Sequence, residues 1–209
     1  ALDESVGRVL DYLDRSGLAR STLVLYLGDN GFMLGEHGLI DKRNAYEESI
    51  RIPMLAWAPG WIPPGAATEA MVRNIDIAPT VADLAGIEIP WTLDGASALG
   101  ILAGAGAAGA GGAGGAGGAG GAGAGAPREL LYEYYWEYAF PHTPTTFALR
   151  GDRFKYIFYH GLWDINELYD LVADPEERHN LIGVPAFQDT ANAMRDRLFD
   201  RLEATDGMR

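Results

Sequence analysis

The sequence contains no cysteine. No disulfide framework can form, and no redox compartment follows from it. It is poor in basic residues, with 16 Lys and Arg against 29 Asp and Glu and a net charge of −13. That excludes a general nucleic-acid binder, which needs a basic face to displace counterions from phosphates. An anionic small substrate stays possible, because a site can be locally positive in an acidic protein. No apolar run reaches the ~20 residues needed to span a bilayer. The start has neither a basic n-region nor an apolar h-region, so no signal peptide is legible. The chain opens without Met into an amphipathic pattern and reads as a piece of something longer. Residues 103–126 are all Gly or Ala. Such a tract has too little apolar surface to offset its ordering entropy and reads as a flexible linker.

Elsewhere the chain has the apolar material for a core: it is 48% hydrophobic, with 10 Tyr, 7 Phe and 5 Trp. Val6, Val9, Leu10, Leu13 and Leu18 fall at mostly helical spacing, opposite Asp3, Glu4, Arg8, Asp11, Asp14 and Arg15. This predicts a surface helix ended by Gly17. Thr22 to Leu27 is a continuous apolar run, as in a strand buried on both faces of a parallel sheet. Residues 31–52 form a long connection of the kind that is often functional. Pro53 to Ala58 reads as a second buried strand. Asp76 to Ala85 reads as a short helix closed by Gly86, with Pro79 tolerated near its first turn. Residues 1–102 thus look like the end of an α/β domain whose remaining strands are missing.

Residues 127–209 read as a separate α+β unit. Glu129 to Tyr138, Thr146 to Arg150, Phe154 to Tyr159 and Glu167 to Leu171 are candidate strands, the middle two joined as a hairpin at Gly151-Asp152. Asp174-Pro175 opens a turn. Gln188 to Leu202 is an amphipathic helix with Ala193, Met194, Leu198 and Leu202 on one face.

Functional residues of open α/β sheets sit at the carboxyl ends of strands. Asp29 and Asn30 stand there, offering a carboxylate and an amide oxygen, the hard donors that Ca²⁺ takes. Two ligands are fewer than its six to eight, so others must come from elsewhere. Lys42, in the same loop, is suited to oppose the charge that develops on an anionic reacting group. His37 is suited to hydrogen-bond an anionic oxygen or a leaving group. In Glu47-Glu48-Ser49-Ile50-Arg51, a Glu–Arg pair is expected to hold the loop before Pro53.

Together, the run from Leu25 to Gly60 resembles the C-terminal signature of the type I sulfatases of the alkaline phosphatase superfamily. In that family a strand ends in Asp-Asn or Asp-His, which ligate Ca²⁺. A Gly-Glu-His-Gly turn often follows, then a sulfate-contacting lysine, then Tyr-Glu-x-x-x-Arg-x-Pro. The resemblance assigns Asp29 and Asn30 to the metal, Lys42 to the sulfate, and matches His37 to a recurrent loop histidine. Val72 to Thr80, Asp83 to Ile87, Glu167 to Leu171, Asp174 to Glu177 and Asn180-Leu181 continue it in the family's order. Tyr134 to Tyr138, Pro141 to Pro144 and Tyr159 to Asp164 are similar to the N-acetylglucosamine-6-sulfatase group. These aromatic residues suit a sugar face or the core of the small sheet, and His142 is the candidate sugar contact. His160 and His179 read as structural.

The fold implied is the C-terminal portion of an alkaline-phosphatase-like α/β sandwich, followed by a small α+β subdomain with an antiparallel sheet and a C-terminal helix. The function implied is hydrolysis of a sulfate ester on a sulfated carbohydrate. The family's formylglycine nucleophile, made from Cys or Ser in a Cys/Ser-x-Pro-x-Arg motif, has no counterpart here, nor do its first pair of metal aspartates. This chain alone is therefore expected to be inactive and to bind Ca²⁺ weakly until the missing N-terminal half is supplied. Two rival readings are a phosphonate or phosphate-ester hydrolase of the same superfamily and a non-catalytic glycan-binding module.

Overall fold

The computed structural model describes residues 1–89, 91, 93–104, 129–162, 165–205 and 207. Most of the Gly/Ala tract read as a linker, and the Trp163-Asp164 pair of the glycan-sulfatase resemblance, lie outside them. In chain order the helices are α1 (Leu2–Arg15), α2 (Glu47–Ile50), α3 (Ile77–Ala85), α4 (Leu99–Leu102) and α5 (Gln188–Ala204). The strands are β1 (Val24–Leu27), β2 (Met33–Leu34), β3 (Ile40–Asp41), β4 (Met54–Trp57), β5 (Leu130–Tyr134), β6 (Thr146–Arg150), β7 (Phe154–Tyr159) and β8 (Glu167–Asp170). The chain forms two compact units: residues 1–28 with 53–124, and residues 29–52 with 125–209.

In the first unit α1 carries Asp3 and Glu4 in its first turn and Arg15 in its last, matching the helix dipole. Leu13 is buried, while Val9 and Tyr12 remain exposed. The apolar run after it becomes β1, which pairs with β4 in antiparallel register, Val24 opposite Trp57 and Leu27 opposite Met54. The expected parallel pairing is not what this unit forms. A continuous apolar run does not report strand direction, and the burial expected of both strands is not reached either: β1 is half-buried throughout and Leu55 of β4 is 65% exposed. Here the connection between the two strands leaves and re-enters at the same end, which makes them antiparallel. α3 closes at Gly86, whose φ of 64° lets its N–H reach back to Ala82 and Asp83. Asp76, at 0% exposure, accepts from the backbone N–H groups of Arg73 and Ala96, each at 2.9 Å.

The second unit is built on the four-stranded antiparallel sheet β5-β6-β7-β8. The 146–159 hairpin forms as its sequence predicts, with Arg150 opposite Lys155. Strand alternation sends Phe147, Leu149, Tyr156 and Leu168 to one face, where they pack against Ala191, Met194, Leu198 and Leu202 of α5. The buried position in the first turn of α5 is Ala191, not the expected Ala193, which is exposed. Stepping back from Met194 by three residues, rather than one, stays on a helix face. Each fully buried Leu or Met here contributes about 1.5–3 kcal/mol. The other face carries Ala148, Ile157 and Tyr169, and Met33, Ala45 and Tyr46 of the 29–52 segment cluster with them. A loop segment, rather than a helix, covers that side.

Candidate active site

The segment that follows β1 is closed at its neck. The Gly31 N–H donates to the Ser49 carbonyl at 2.8 Å. A Cβ on Gly31 would lie 2.0 Å from the Glu48 carbonyl oxygen, so only glycine permits the approach. Between these ends, β2 and β3 pair, Met33 opposite Asp41. A tight turn at Glu36–Gly38 joins them.

Asp29 is exposed and Asn30 half-buried at the mouth of this loop. One Asp29 oxygen accepts the Asn30 N–H at 2.9 Å. The Asn30 side-chain amide donates to the Gly31 carbonyl at 2.7 Å. Lys42 Nζ donates to Asn30 Oδ1 at 3.0 Å. The structure therefore brings Asp29, Asn30 and Lys42 together. Asp29 and Asn30 fit a hard cation in donor type, since both present oxygen, and a carboxamide oxygen keeps a second lone pair beside the one Lys42 uses. They fit it only as part of a shell. Among the described residues no group of three or more His, Asp or Glu side chains is placed to hold a metal.

His37 sits elsewhere in the loop. Its φ is 52°, a conformation costing a non-glycine residue on the order of 1–3 kcal/mol unless its surroundings enforce it. Its ring lies flat on that of Tyr46, centroids 3.9 Å apart and planes 7° from parallel. The backbone of His37 is exposed, but its side chain is only 16% so, with Nε2 3.9 Å from Glu48 Oε2.

His142, exposed, lines a cleft of about 190 Å³ with Asp41, Arg43, Asn44, Tyr46 and Tyr159 among its other walls. Lys42 does not line it: Asp41 and Arg43 face the cleft while Lys42 between them turns to Asn30. Arg43 is fixed by both oxygens of Asp41 at 2.6 and 2.7 Å, by Glu137 at 3.4 Å, and by the Phe140 ring 3.3 Å below its guanidinium. Tyr135, Trp136 and Tyr138 are 50%, 52% and 89% exposed, so of the two readings of this aromatic run, the sheet core is not where these three lie.

The expected Glu–Arg contact within Glu47–Arg51 is replaced by longer-range pairs. Glu47 Oε1 accepts from Lys155 Nζ at 3.0 Å, and Glu47 also pairs with Arg150 at 3.4 Å. Lys155 reaches Glu177 at 2.6 Å, and Lys155 and Glu177 are both at 0% side-chain exposure. Glu177 also accepts the Glu47 N–H at 2.7 Å. Burial pushes Glu47 up, but Lys155 and Arg150 outweigh it and hold this carboxyl below its usual range. Burial prevails at Glu177, which is raised. A second anchor lies beside the first. The hydroxyls of Tyr46, Tyr159 and Tyr169 all donate to Glu167, at 2.9, 3.0 and 2.7 Å. Burial, then Glu167 through its charge and hydrogen bonds, raises all three tyrosines, Tyr46 to about 12. Sequence reading missed Tyr46, Lys155, Glu167 and Glu177 as supports of the loop. The available signal was their alternation: Arg150, Lys155 and Glu167 share a sheet face with Ala148, Ile157 and Tyr169.

Residues 1–87 match the family model described as Sulfatase, and residues 121–204 match the one described as N-sulphoglucosamine sulphohydrolase, C-terminal. The N-acetylglucosamine-6-O-sulfatase of Bacteroides thetaiotaomicron is 36% identical over 88% of this chain and 30% of its own length. The choline-sulfatase of Rhizobium meliloti is 36% identical over 93% of this chain and 34% of its own length. A solved protein in complex with its substrate D-glucosamine-2-N,6-O-disulfate matches with a TM-score of 0.80 at 33% identity, over 96% of this chain and 38% of that one. The chain spans about a third of the length of these curated relatives. With both family models matched in order and the likeness running through sequence and structure alike, the chain belongs to the sulfatase family and has its alkaline-phosphatase-like fold.

Proposed function

We propose that this chain supplies part of the active site of a sulfuric ester hydrolase acting on a sulfated sugar, in concert with residues outside it. The observation that carries the reading is the 3.0 Å contact of Lys42 Nζ with Asn30 Oδ1, which holds an ammonium beside the Asp29-Asn30 pair. Asp29 and Asn30 would hold Ca²⁺, which when bound screens the negative charge of sulfate oxygens. Lys42 binds the same oxygens and opposes the charge that grows on them as the ester bond breaks. His37 donates a hydrogen bond to an anionic oxygen or the leaving alcohol. His142 contacts the sugar from the rim of its cleft. The relative named N-acetylglucosamine-6-O-sulfatase and the solved complex with a glucosamine disulfate support an amino sugar as the alcohol, while the choline-sulfatase at equal identity makes choline sulfate the comparison substrate.

The test is an assay of the full-length protein carrying this chain, with Ca²⁺, on N-acetylglucosamine-6-sulfate, choline sulfate, an aryl sulfate and an aryl phosphonate. Sulfate release from the sugar, lost in Lys42→Ala, is expected. Preference for the phosphonate would replace this reading with the phosphonate hydrolase one. Glycan binding without any turnover would replace it with the non-catalytic module.

A further inference from the structure

His37 occupies an unfavourable backbone conformation inside an otherwise glycine-built turn, Gly35 at φ 132° on one side and Gly38 at φ 70° on the other. The turn is closed by the Gly38 N–H on the Gly35 carbonyl at 3.0 Å and the Leu39 N–H on the Glu36 carbonyl at 2.9 Å. Nothing in that bonding pattern requires an imidazole. What the imidazole does meet is the flat face of Tyr46 at 3.9 Å. Tyr46 is 8% exposed and packed with Met33, Ile157 and Tyr169. Its hydroxyl reaches both oxygens of Glu167, at 3.1 and 2.9 Å. Glu167 is itself fixed by Tyr159 and Tyr169, one on each oxygen. Glu48 Oε2 is buried, has no hydrogen-bond partner among the described residues, and lies 3.9 Å from the imidazole Nε2.

We propose that Glu167 and Tyr46 are positioning residues for His37: the carboxylate fixes the phenol, and the phenol ring fixes the plane of the imidazole, leaving its nitrogens to face Glu48 and the substrate. This rests on the reading of His37 as a group that acts on the reacting ester. All three tyrosine hydroxyls are consumed by Glu167, so none of them is itself the proton donor. The arrangement accounts for a feature that packing alone leaves unexplained. Two phenols suffice to satisfy one oxygen each on Glu167, yet a third is brought 121 residues along the chain to the same carboxylate. The strained turn keeps its place because the stack and the turn hydrogen bonds determine it from both sides.

Two readouts test this, one without activity. In NMR spectra of the 209-residue chain, the His37 ring protons are expected to be displaced upfield by the Tyr46 ring current. The displacement is lost in Tyr46→Leu and altered in both Tyr46→Phe and Glu167→Gln, two variants of nearly unchanged size that each break the hydroxyl–carboxylate link. His37 signals that stay put in Tyr46→Leu or in Glu167→Gln overturn the proposal. In the full-length enzyme, Tyr46→Leu is expected to lower kcat by roughly 10–100-fold with little change in KM, as for a misplaced reacting group, with Tyr46→Phe, which keeps the ring but not its tie to Glu167, showing a smaller loss; full activity in Tyr46→Phe overturns the role of Glu167. In a His37→Ala background Tyr46→Leu is expected to have no further effect. If the two losses multiply instead, Tyr46 acts independently of His37 and the proposal fails. Full activity of His37→Ala would sink the catalytic reading of His37, and the NMR signals alone would then decide whether Glu167 and Tyr46 position it.

Discussion

The Gly31 N–H and the Ser49 carbonyl, 2.8 Å apart, join the two ends of the loop that carries Asp29, Asn30, His37 and Lys42. The space a side chain would need at Gly31 is filled by backbone, the Glu48 carbonyl at 2.0 Å. Backbone cannot retract as a flexible side chain can. Gly31→Ala is therefore expected to destabilise the second unit by about 1–3 kcal/mol, the usual cost of overpacking. It should also weaken Ca²⁺ binding by the full-length protein, because Asp29 and Asn30 adjoin the displaced residue. Denaturant melts and calorimetric Ca²⁺ titration of the variant check both.

Lys155 stands between Glu47 and Glu177 with its side chain at 0% exposure. Removing one partner of a buried ion pair leaves the other charged and dry, which costs about 3–5 kcal/mol, whereas replacing the whole group by apolar or neutral side chains is often tolerated. Lys155→Met is expected to cost that much. Adding Glu47→Gln and Glu177→Gln to it is expected to recover a large part of the loss. Urea denaturation of the single and triple variants decides; a triple variant no better than the single one would mean that the charges do not act as a group.

The tyrosine cluster sets an alkaline limit. Unfolded tyrosines ionise near pH 10, whereas burial and Glu167 raise Tyr46 to about 12 in the fold. A group raised on folding lends stability that is complete below its unfolded pKa and is lost as pH rises through its folded one. Tyr159 and Tyr169 are raised for the same reasons and add to the effect. The second unit should thus lose stability steeply between about pH 10 and pH 12. In Glu167→Gln the cluster's tyrosinate absorbance is expected to appear at lower pH.

On the acid side the sign reverses. The Arg153 hydrogen bond, against opposing burial and helped by backbone N–H groups of Ala173 and Val172, holds the Asp170 carboxyl below its ordinary range. Its stabilising contribution is complete above its unfolded pKa of about 3.9 and is lost as pH falls through its lower folded value. Asp170→Asn is expected to lower stability at neutral pH and to flatten its decline below about pH 4, as read by chemical denaturation at both pH values.

The strands and helices were largely legible in the residues, because apolar alternation and turn residues mark them locally. The hairpin from Thr146 to Tyr159 and the Gly86 stop of α3 are examples. The direction of β1 against β4 was not legible, since an apolar run such as Val24–Leu27 carries no orientation, and its four residues are half-buried rather than buried. Asp29, Asn30 and Lys42 are candidates from their order in a loop, and the structure places these three side by side. The supports of that loop were not found. Lys155 and Glu167 look like solvent-facing residues of an antiparallel strand until the loop is laid over them. Their partners Glu47 and Tyr46 lie more than a hundred residues earlier, at 108 and 121 positions' separation.

The polar side of the β5-β8 sheet has a consequence for how such proteins diverge. It accepts one particular covering segment, because its lysine and arginine pair with the Glu47 carboxylate and its glutamate takes the Tyr46 hydroxyl. A C-terminal region exchanged between two relatives at the Gly/Ala tract would arrive without the loop it was fitted to. A buried lysine would then meet a foreign residue, and the imidazole turn would lose its floor. The inheritable unit of this loop is therefore discontinuous: residues 29–52 travel safely only in company with residues 146–177.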